Sequence, residues 1–255
     1  MNIDAHIHIG SGKGLDGRKI RGEPEYIFEM MDEADIAKSV ALQPRGVCSP
    51  LGTNEGWKKG NDLNAEMAKK YDRFIPFATV EAGMPGDVDE LKRAINKLGL
   101  KGLKILPAPW PLIDHPKVFP LMKTCADLGI PVTIHSDFNY HYMSPFRIMN
   151  LAERFPEVPI IMAHMGMDPE FIFHFIQRKD VIQRENVYLE CSGTPGMPYL
   201  IQKTCEMLGA ERLIFGSDSP TFNPGLAKLK VELTELSDDD KTLVLGGNIA
   251  RILGI

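Results

Sequence analysis

Short runs of apolar, often β-branched residues alternate along the chain with longer amphipathic stretches. Eight apolar runs have the length of a strand and occupy residues 2–9, 39–42, 74–80, 102–106, 131–135, 159–163, 186–190 and 212–215. Patterns of helical period follow them, at residues 26–35, 61–71, 87–98, 118–128, 145–155, 169–178, 197–208 and 225–236. Strand-like runs that alternate with helix-length patterns predict βαβ units built around a parallel sheet.

The number of these units predicts how the sheet closes. Eight strand–helix units fill the 255 residues and leave no remainder large enough for a second domain. A last helical stretch, residues 239–253, follows the N-cap candidates Ser237 and Asp238 and is expected to cover the barrel edge. We therefore predict an α/β fold in which residues 1–255 form a single-domain (β/α)8 TIM barrel, in preference to an open doubly wound sheet.

Charge and cysteine content narrow the classes of function. The chain has 29 Lys and Arg against 34 Asp and Glu, a formal net charge of −5, so it offers no basic field for a nucleic acid. No apolar run approaches the roughly 18 residues of a membrane span, and the N-terminal MNIDAHIH resembles neither a signal peptide nor a transit segment. Four scattered cysteines without a CxxC pair indicate free thiols in a reducing compartment. We expect a cytoplasmic protein without nucleic-acid or membrane partners.

Metal-binding residue types gather where the predicted strands end. His6 and His8 close the first run, His135 closes PVTIH, His164 closes PIIMAH, and Asp218 follows the last run in RLIFGSD. The C-terminal strand ends of such a barrel form one rim, where its active site lies. Residues i and i+2 of a strand share a face, so both histidines of the first run are expected to point into the barrel mouth. Imidazoles and a carboxylate suit Zn²⁺ with water completing the site, and the sequence therefore predicts a metal centre.

Seven short motifs run in order from residue 3 to residue 254: IDAHIH, GLKI, VTIHSD, IIMAHMG, NVYLECS, IFGSDSP and GGNIARILG. In these motifs the chain resembles the amidohydrolase superfamily, and within it the amidohydrolase-related branch of metal-dependent TIM-barrel hydrolases and decarboxylases. The resemblance implies that the metal ligands are His6, His8, His135 and Asp218. It implies for His164 either a further ligand or an imidazole that faces the substrate.

The resemblance also bears on the number of metal ions. Superfamily members with two metals usually have a bridging carbamylated Lys or a Glu near the fourth strand, and Lys104 of GLKI stands at that place. Branch members that resemble this chain commonly hold one metal, so we expect one divalent ion, Zn²⁺ first, with Mn²⁺ or another divalent ion as the alternative. Lys101 is then expected to be a surface charge.

The expected activity is hydrolysis of an amide, lactone or ester of a small molecule by a metal-activated water. Asp218 would orient this water, take its proton and pass it to the leaving group, and His164 would stabilise the charge that develops in the transition state. The alternative activity on the same metal site is non-oxidative decarboxylation of a small aromatic or unsaturated carboxylic acid.

Four residues are candidates for substrate binding. Lys104 is expected to be a cation that faces the substrate, and Arg45, just past the second strand run, is placed to clamp a carboxylate. Tyr140 and His141 belong to an aromatic segment after the fifth strand that offers rings to a planar substrate. A small-molecule substrate is the expected partner, and the resemblance implies a homodimer.

Two further classes of protein are alternatives. TatD-like metal-dependent DNases also begin with an H-x-H strand, but they call for a Glu near the fourth strand where this chain reads GLKI. A non-catalytic barrel that binds a metal would have a closed coordination shell, whereas this set of ligands leaves a position open. A glycine-rich stretch at residues 10–22 lacks the P-loop spacing and is expected to be a loop or lid after the first strand.

Overall fold

Parallel strands follow one another in chain order around a barrel in the computed structural model, which describes residues 1–13, 17, 19–42, 54–178, 184–194 and 197–255. The barrel strands are β1 (Ile3–Ile7), β2 (Lys38–Ala41), β3 (Phe74–Pro76, continued by Ala78–Thr79), β4 (Leu103–Ile105), β5 (Val132–His135), β6 (Ile160–Ala163), β7 (Val187–Glu190) and β8 (Leu213–Ile214). Each predicted apolar run overlaps one of these strands, and sequential strands pair in parallel.

The sheet closes on itself between β8 and β1. The Asp218 amide donates to the His6 carbonyl at 2.7 Å, and the His8 amide donates to the Ser219 carbonyl at 2.8 Å. An isolated parallel bridge joins Ile7 to Ser219 at the same seam. Closure leaves no free sheet edge there, and the predicted (β/α)8 TIM barrel is confirmed.

Helices follow the strands on the outside of the barrel. They are α1 (Pro24–Glu33), α2 (Asn54–Lys70), α3 (Asp87–Asn96), α4 (Phe119–Leu128), α5 (Pro145–Arg154), α6 (Pro169–Ile176), α7 (Pro198–Leu208), α8 (Pro224–Glu232), α9 (Asp238–Thr242) and α10 (Asn248–Leu253). Helix α2 begins before the predicted helical stretch. The sequence pattern did not reveal its first turns, because they are mostly polar and show little apolar period, although Trp57 is buried there. None of the helices in the described residues is long and apolar enough to cross a membrane.

The predicted closing helix is interrupted. Its start is as expected, since the Ser237 side chain caps α9 by accepting from the Asp240 amide at 3.1 Å. A wide turn, Leu243–Gly247, then separates α9 from α10. Gly246 in this turn leaves helical geometry and allows a close approach of two backbones, because a Cβ atom there would overlap the Met1 carbonyl.

Two clusters of buried apolar residues flank the strands. The larger one lies between barrel and helices. The smaller one fills the inside of the barrel and comprises Ile3, Ala5, Val40, Leu42, Ile75, Phe77, Ile161, Ile214 and Ile249. All of these except Ile249 come from strands or their immediate ends, so α10 contributes a side chain to the inner cluster in addition to covering the barrel edge.

A β-bulge in β1 changes which side chains face inward along this strand. Asp4 pairs with Ser39 and Ile7 with Ala41, so three steps on β1 match two steps on β2. Below the bulge, Ile3 and Ala5 belong to the inner cluster. Above it, the alternation has shifted by one residue, and the even-numbered His6 and His8 reach the mouth. The i, i+2 argument therefore placed the two histidines together correctly, but the bulge determines that they face inward.

The inner cluster generates a prediction about Gly102. A Cβ atom there would lie 2.5 Å from two atoms of the Phe77 ring, which is fully buried inside the barrel. We expect Gly102→Ala to lower the free energy of unfolding by about 1 to 3 kcal/mol through overpacking, measured by denaturant titration. The exposed neighbour provides the control, since Lys101→Ala should change stability by less than about 0.5 kcal/mol. If steric overlap is the cause, Phe77→Leu should partly relieve the effect of Gly102→Ala, and strictly additive effects would contradict it.

Candidate metal centre

Three of the predicted metal-binding residues meet at the β8–β1 seam. The Nε2 atoms of His6 and His8 lie 3.2 Å apart, and Asp218 Oδ1 lies 3.0 Å from His8 Nε2 and 3.7 Å from His6 Nε2. Two atoms bound to one ion at about 2.1 Å are separated by roughly 3.0 to 3.4 Å in tetrahedral or octahedral geometry. The separations in this cluster are close to that range, so its donors fit a divalent cation.

Asp4 holds the two strands of this seam together. Its carboxylate is fully buried and accepts hydrogen bonds from the His6 amide at 3.0 Å and the Ser217 amide at 2.9 Å, and from the Ser217 hydroxyl. Burial raises the pKa of Asp4 to about 7, against the lowering effect of these hydrogen bonds. Sequence reasoning missed this residue, although an acidic residue inside an apolar strand run was a usable signal.

The backbone of Asp218 is in the left-handed region, with φ of 60°. Such a conformation is unfavourable for a residue with a side chain, so the surrounding hydrogen bonds must maintain it. The Ser217 hydroxyl, itself bound to Asp4, accepts from the Ser219 amide at 2.9 Å, and the Asp218 amide is bound to β1. Asp218 is thereby held from both sides.

The charge state of Asp218 follows from its neighbours. Burial opposes ionisation, but the hydrogen bond to His8 and the electrostatic effect of the imidazoles of His6, His8 and His164 outweigh it and hold the pKa of Asp218 below its usual range. The side chain is therefore a carboxylate at neutral pH, as a metal ligand has to be.

His135 and His164 form a second pair of imidazoles next to this cluster. His164 Nε2 lies 3.0 Å from His135 Nδ1, and the two ring centroids are 4.7 Å apart. Burial and nearby positive charges lower the pKa of His135 well below its usual value and that of His164 to about 3, so both imidazoles are neutral. His164 also contacts His6, with ring centroids 4.8 Å apart.

Glu190, at the end of β7, is a second residue that sequence reasoning missed. It is fully buried, and its Oε2 lies 2.8 Å from His6 Nδ1. Together with His6 and His164 it forms another set of donors close enough to hold an ion. The Ser192 hydroxyl lies among them, 2.8 Å from Glu190 Oε2 and 2.9 Å from His164 Nδ1. These four side chains therefore form a hydrogen-bonded network beside the His6, His8 and Asp218 cluster.

Lys104 projects from β4 into the barrel. Its neighbours Leu103 and Ile105 pack against the helices, and strand alternation places the lysine on the inner face. The side chain is 3% exposed, and its Nζ has no hydrogen-bond partner among the described residues. Burial lowers the pKa of Lys104 to about 8, although the charges of Glu190 and Asp218 act in the opposite direction. By contrast, Lys101 is exposed, as expected.

The remaining candidates are Arg45, Tyr140 and His141, and none of them is among the described residues that form this cluster. Arg45 lies outside the described residues. Tyr140 and His141 occupy the loop after β5, where each packs against Tyr142 and both are exposed. Their neighbour Phe138 packs on Phe146 and Phe175 in the core instead of facing the mouth.

Cys191, next to Glu190, is the one thiol close to the site in the described part of the chain. It is fully buried, and burial raises its pKa to about 11. A thiol in this environment is not ionised at neutral pH, so it does not provide a nucleophile.

Comparison with known protein families identifies the family of the chain. A model of the amidohydrolase family matches residues 3–255. The chain belongs to this family. It is therefore an enzyme of the amidohydrolase superfamily, as the motifs had indicated.

Individual relatives are more distant. The γ-resorcylate decarboxylase of Polaromonas sp. strain JS666 is 25% identical over 288 aligned positions, covering 93% of this chain and 87% of that protein. A dihydroxybenzoic acid decarboxylase structure from Polaromonas sp. JS666, with bound manganese and 2-nitroresorcinol, has a TM-score of 0.78 and 19% identity, covering 100% of this chain and 97% of that one. A probable 2-pyrone-4,6-dicarboxylic acid hydrolase from Acinetobacter baumannii, with citric acid bound, has a TM-score of 0.72 and 20% identity, covering 100% and 99%. At these identities the structural likeness shows the shared fold.

The role of Asp4 at the seam is testable on the metal-free protein. Asp4→Leu has a similar size but leaves the His6 amide and both Ser217 donors without an acceptor, so we expect a loss of about 3 to 5 kcal/mol in unfolding free energy. Asp4→Asn keeps one acceptor oxygen for the two amides and should lose only about 1 kcal/mol. Denaturant unfolding of the three proteins measures both values. Equal losses for the two variants would show that the hydrogen bonds to Asp4 do not hold the seam.

Proposed function

We propose that this protein is a metal-dependent, non-oxidative decarboxylase of a small aromatic carboxylic acid. The observation that carries the proposal is the buried Lys104 ammonium, which has no partner in the described part of the chain and shares the inside of the barrel with the candidate metal centre. A cation in that position requires an anionic partner, and an aromatic acid supplies one. The similarity to γ-resorcylate decarboxylase over most of the chain supports this choice over hydrolysis.

The residues proposed to hold the metal are His6, His8, His135 and Asp218. The three histidines offer imidazole nitrogens and Asp218 offers a carboxylate. This donor set suits Zn²⁺ or Mn²⁺. A bound divalent ion would supply Lewis acidity toward an anionic oxygen ligand. Zinc is the expected ion from the donor set, and the manganese of the Polaromonas decarboxylase makes Mn²⁺ the second ion to test.

Decarboxylation replaces a carboxylate by a proton on the ring. The bond between the ring carbon and the carboxylate breaks, its electron pair remains on the ring carbon, and this carbon takes up one proton as CO₂ leaves. Lys104 would bind an anionic oxygen of the acid and so orient the ring. The proton would come from solvent water: the Asp218 carboxylate, oriented by its contact with His8, would accept it and pass it to the ring carbon. His164 would contact the substrate as a neutral imidazole.

Hydrolysis of a lactone is the second candidate, because the Acinetobacter hydrolase has the same fold over the full length of this chain. In that reaction Asp218 would take the proton of the attacking water and pass it to the leaving oxygen. Purified protein loaded with Zn²⁺ or Mn²⁺ should release CO₂ from hydroxybenzoates such as 2,6-dihydroxybenzoate. Ring opening of 2-pyrone-4,6-dicarboxylate without CO₂ release would select hydrolysis, and activity on neither class would overturn both candidates.

The metal assignment predicts the metal content of purified protein. We expect about one divalent ion per chain in the wild type and none after His6→Ala and His8→Ala together, because two ligands of the site are lost. Elemental analysis of the folded proteins measures this. The matched control removes two histidines outside the cluster, His115→Ala with His174→Ala, and should retain the ion. Metal content that survives in the first double variant would contradict the assignment.

The role proposed for Lys104 predicts a kinetic signature. Lys104→Met keeps the length of the side chain but removes the charge, and we expect the KM for the carboxylic acid to rise by about 10- to 100-fold, since a hydrogen bond to a charged group contributes about 1.5 to 3 kcal/mol. Lys101→Met, on the exposed side of the same segment, should leave KM unchanged. An unchanged KM in Lys104→Met would show that this lysine does not bind the substrate.

A further inference from the structure

Glu190 is a buried carboxylate that the proposed reaction does not use. Its Oε1 accepts the Ser192 amide, and its Oε2 is 2.8 Å from both the Ser192 hydroxyl and His6 Nδ1. The His164 amide approaches the same Oε2 at 3.4 Å. The Glu190 carboxylate therefore accepts hydrogen bonds from β1, from the residue that follows β6 and from a residue just after its own strand.

The contact with Glu190 determines which ring nitrogen of His6 carries the proton. Both oxygens of Glu190 face backbone N–H donors, Oε1 that of Ser192 and Oε2 that of His164, so the carboxylate is the acceptor and His6 Nδ1 donates to it. A neutral imidazole has one N–H, and its other nitrogen then carries a lone pair. For His6 this nitrogen is Nε2, the atom that lies 3.2 Å from His8 Nε2 in the candidate metal centre.

Ser192 determines the tautomer of His164 in the same way. The Ser192 hydroxyl proton is directed to Glu190, so its oxygen is an acceptor for His164 Nδ1 at 2.9 Å. The Ser192 carbonyl, which can only accept, lies 3.2 Å from the same nitrogen. Both contacts place the proton of His164 on Nδ1 and leave a lone pair on Nε2.

His135 is the end of this chain of hydrogen bonds. Its Nδ1 lies 3.0 Å from His164 Nε2, which carries a lone pair, so His135 Nδ1 donates and His135 Nε2 remains free to bind a metal. The donations run in one direction, from His135 to His164, from His164 to Ser192, and from Ser192 to Glu190.

We infer that Glu190 is a positioning residue that, directly and through Ser192, sets His6, His164 and His135 in the Nδ1–H tautomer and so presents Nε2 of His6 and His135 to the metal. Its consequence for metal affinity rests on the proposed metal centre. The tautomers themselves are a property of the metal-free protein.

Glycines on both sides of the network provide the room that it needs. A Cβ atom on Gly216 would overlap the Glu190 carboxylate and lie 2.9 Å from the His6 Cβ. On Gly193 it would lie 3.0 Å from His164 Nδ1, and Gly193 has a φ of +63°. The backbone of β8 and of the loop after β7 thus packs directly on the carboxylate and the imidazole, which restricts their rotation.

Glu190→Gln is a sharp test because an amide is not symmetric. The Ser192 amide needs an acceptor, so the carboxamide oxygen takes the place of Oε1 and the NH₂ group takes the place of Oε2. This NH₂ group then donates to His6 Nδ1 and moves the imidazole proton to Nε2. The variant should therefore contain His6 as the Nε2–H tautomer, while the side chain at position 190 keeps its size.

The first measurement is long-range ¹H–¹⁵N NMR of the metal-free protein, with the His6 signals assigned from a His6→Asn variant. Wild type should show His6, His164 and His135 as Nδ1–H tautomers, and Glu190→Gln should convert His6 to Nε2–H. The second measurement is the Kd for Zn²⁺ and Mn²⁺ by competition with a chelator, and we expect Glu190→Gln to weaken binding by about 10- to 100-fold. Ser192→Ala should weaken it less, because the carbonyl still holds His164.

Glu90→Gln is the matched control, a buried glutamate on α3 bound to Asn61 and Arg93. It should leave the His6 tautomer and the metal Kd unchanged, and thermal unfolding verifies that every variant is folded. An Nε2–H tautomer of His6 in wild type, or a Glu190→Gln variant with the wild-type tautomer and Kd, would overturn the inference. Wild type that binds neither ion would overturn the metal centre of the proposed function, while the tautomers would still decide the role of Glu190.

Discussion

The seam between β8 and β1 is the constraint on which the rest of the structure depends. Barrel closure and the candidate metal centre use the same few residues there, since the Asp218 amide and the His8 amide both bond across it. The buried Asp4 carboxylate ties the two strands together by accepting from His6 and from Ser217. An error in closure would therefore misplace the side chains of the candidate metal centre.

The inside of the barrel changes character from one end to the other. Apolar side chains from the strands and Ile249 of α10 fill the lower part and exclude water. Above them lie buried polar and ionisable groups, among them Lys104, Glu190 and His164. Such groups are costly to bury unless they are bonded, and most of those at the mouth are bonded to one another. Among the buried polar atoms of the described residues that lack a hydrogen-bond partner, Lys104 Nζ is the cationic one, which is why a substrate anion is its proposed partner.

Strained backbone is concentrated at the same rim. His164, Met165, Met167 and Asp218 all have positive φ values without being glycine. Conformations of this kind cost free energy and persist only where surrounding contacts enforce them, and they cluster at functional sites. The hydrogen bonds of Asp4, Ser192 and Glu190 provide the contacts around His164 and Asp218, so the apolar core below and the polar network above together keep these side chains in place.

The alternation of apolar runs and helical patterns was sufficient to predict the barrel, because strand period, helix period and unit count are local properties of the chain. The placement of His6, His8, His135, His164 and Asp218 at strand ends likewise followed from the sequence, since every parallel strand of a barrel ends at one rim. Asp4 and Glu190 were not found, although each is an acidic residue in an apolar strand run, because the contacts that reveal their roles, from Asp4 to Ser217 and from Glu190 to His6, join residues that are distant in sequence. Only the tertiary structure decided the β-bulge, the seam and the network that orients the imidazoles, because each depends on contacts between strands that are remote along the chain.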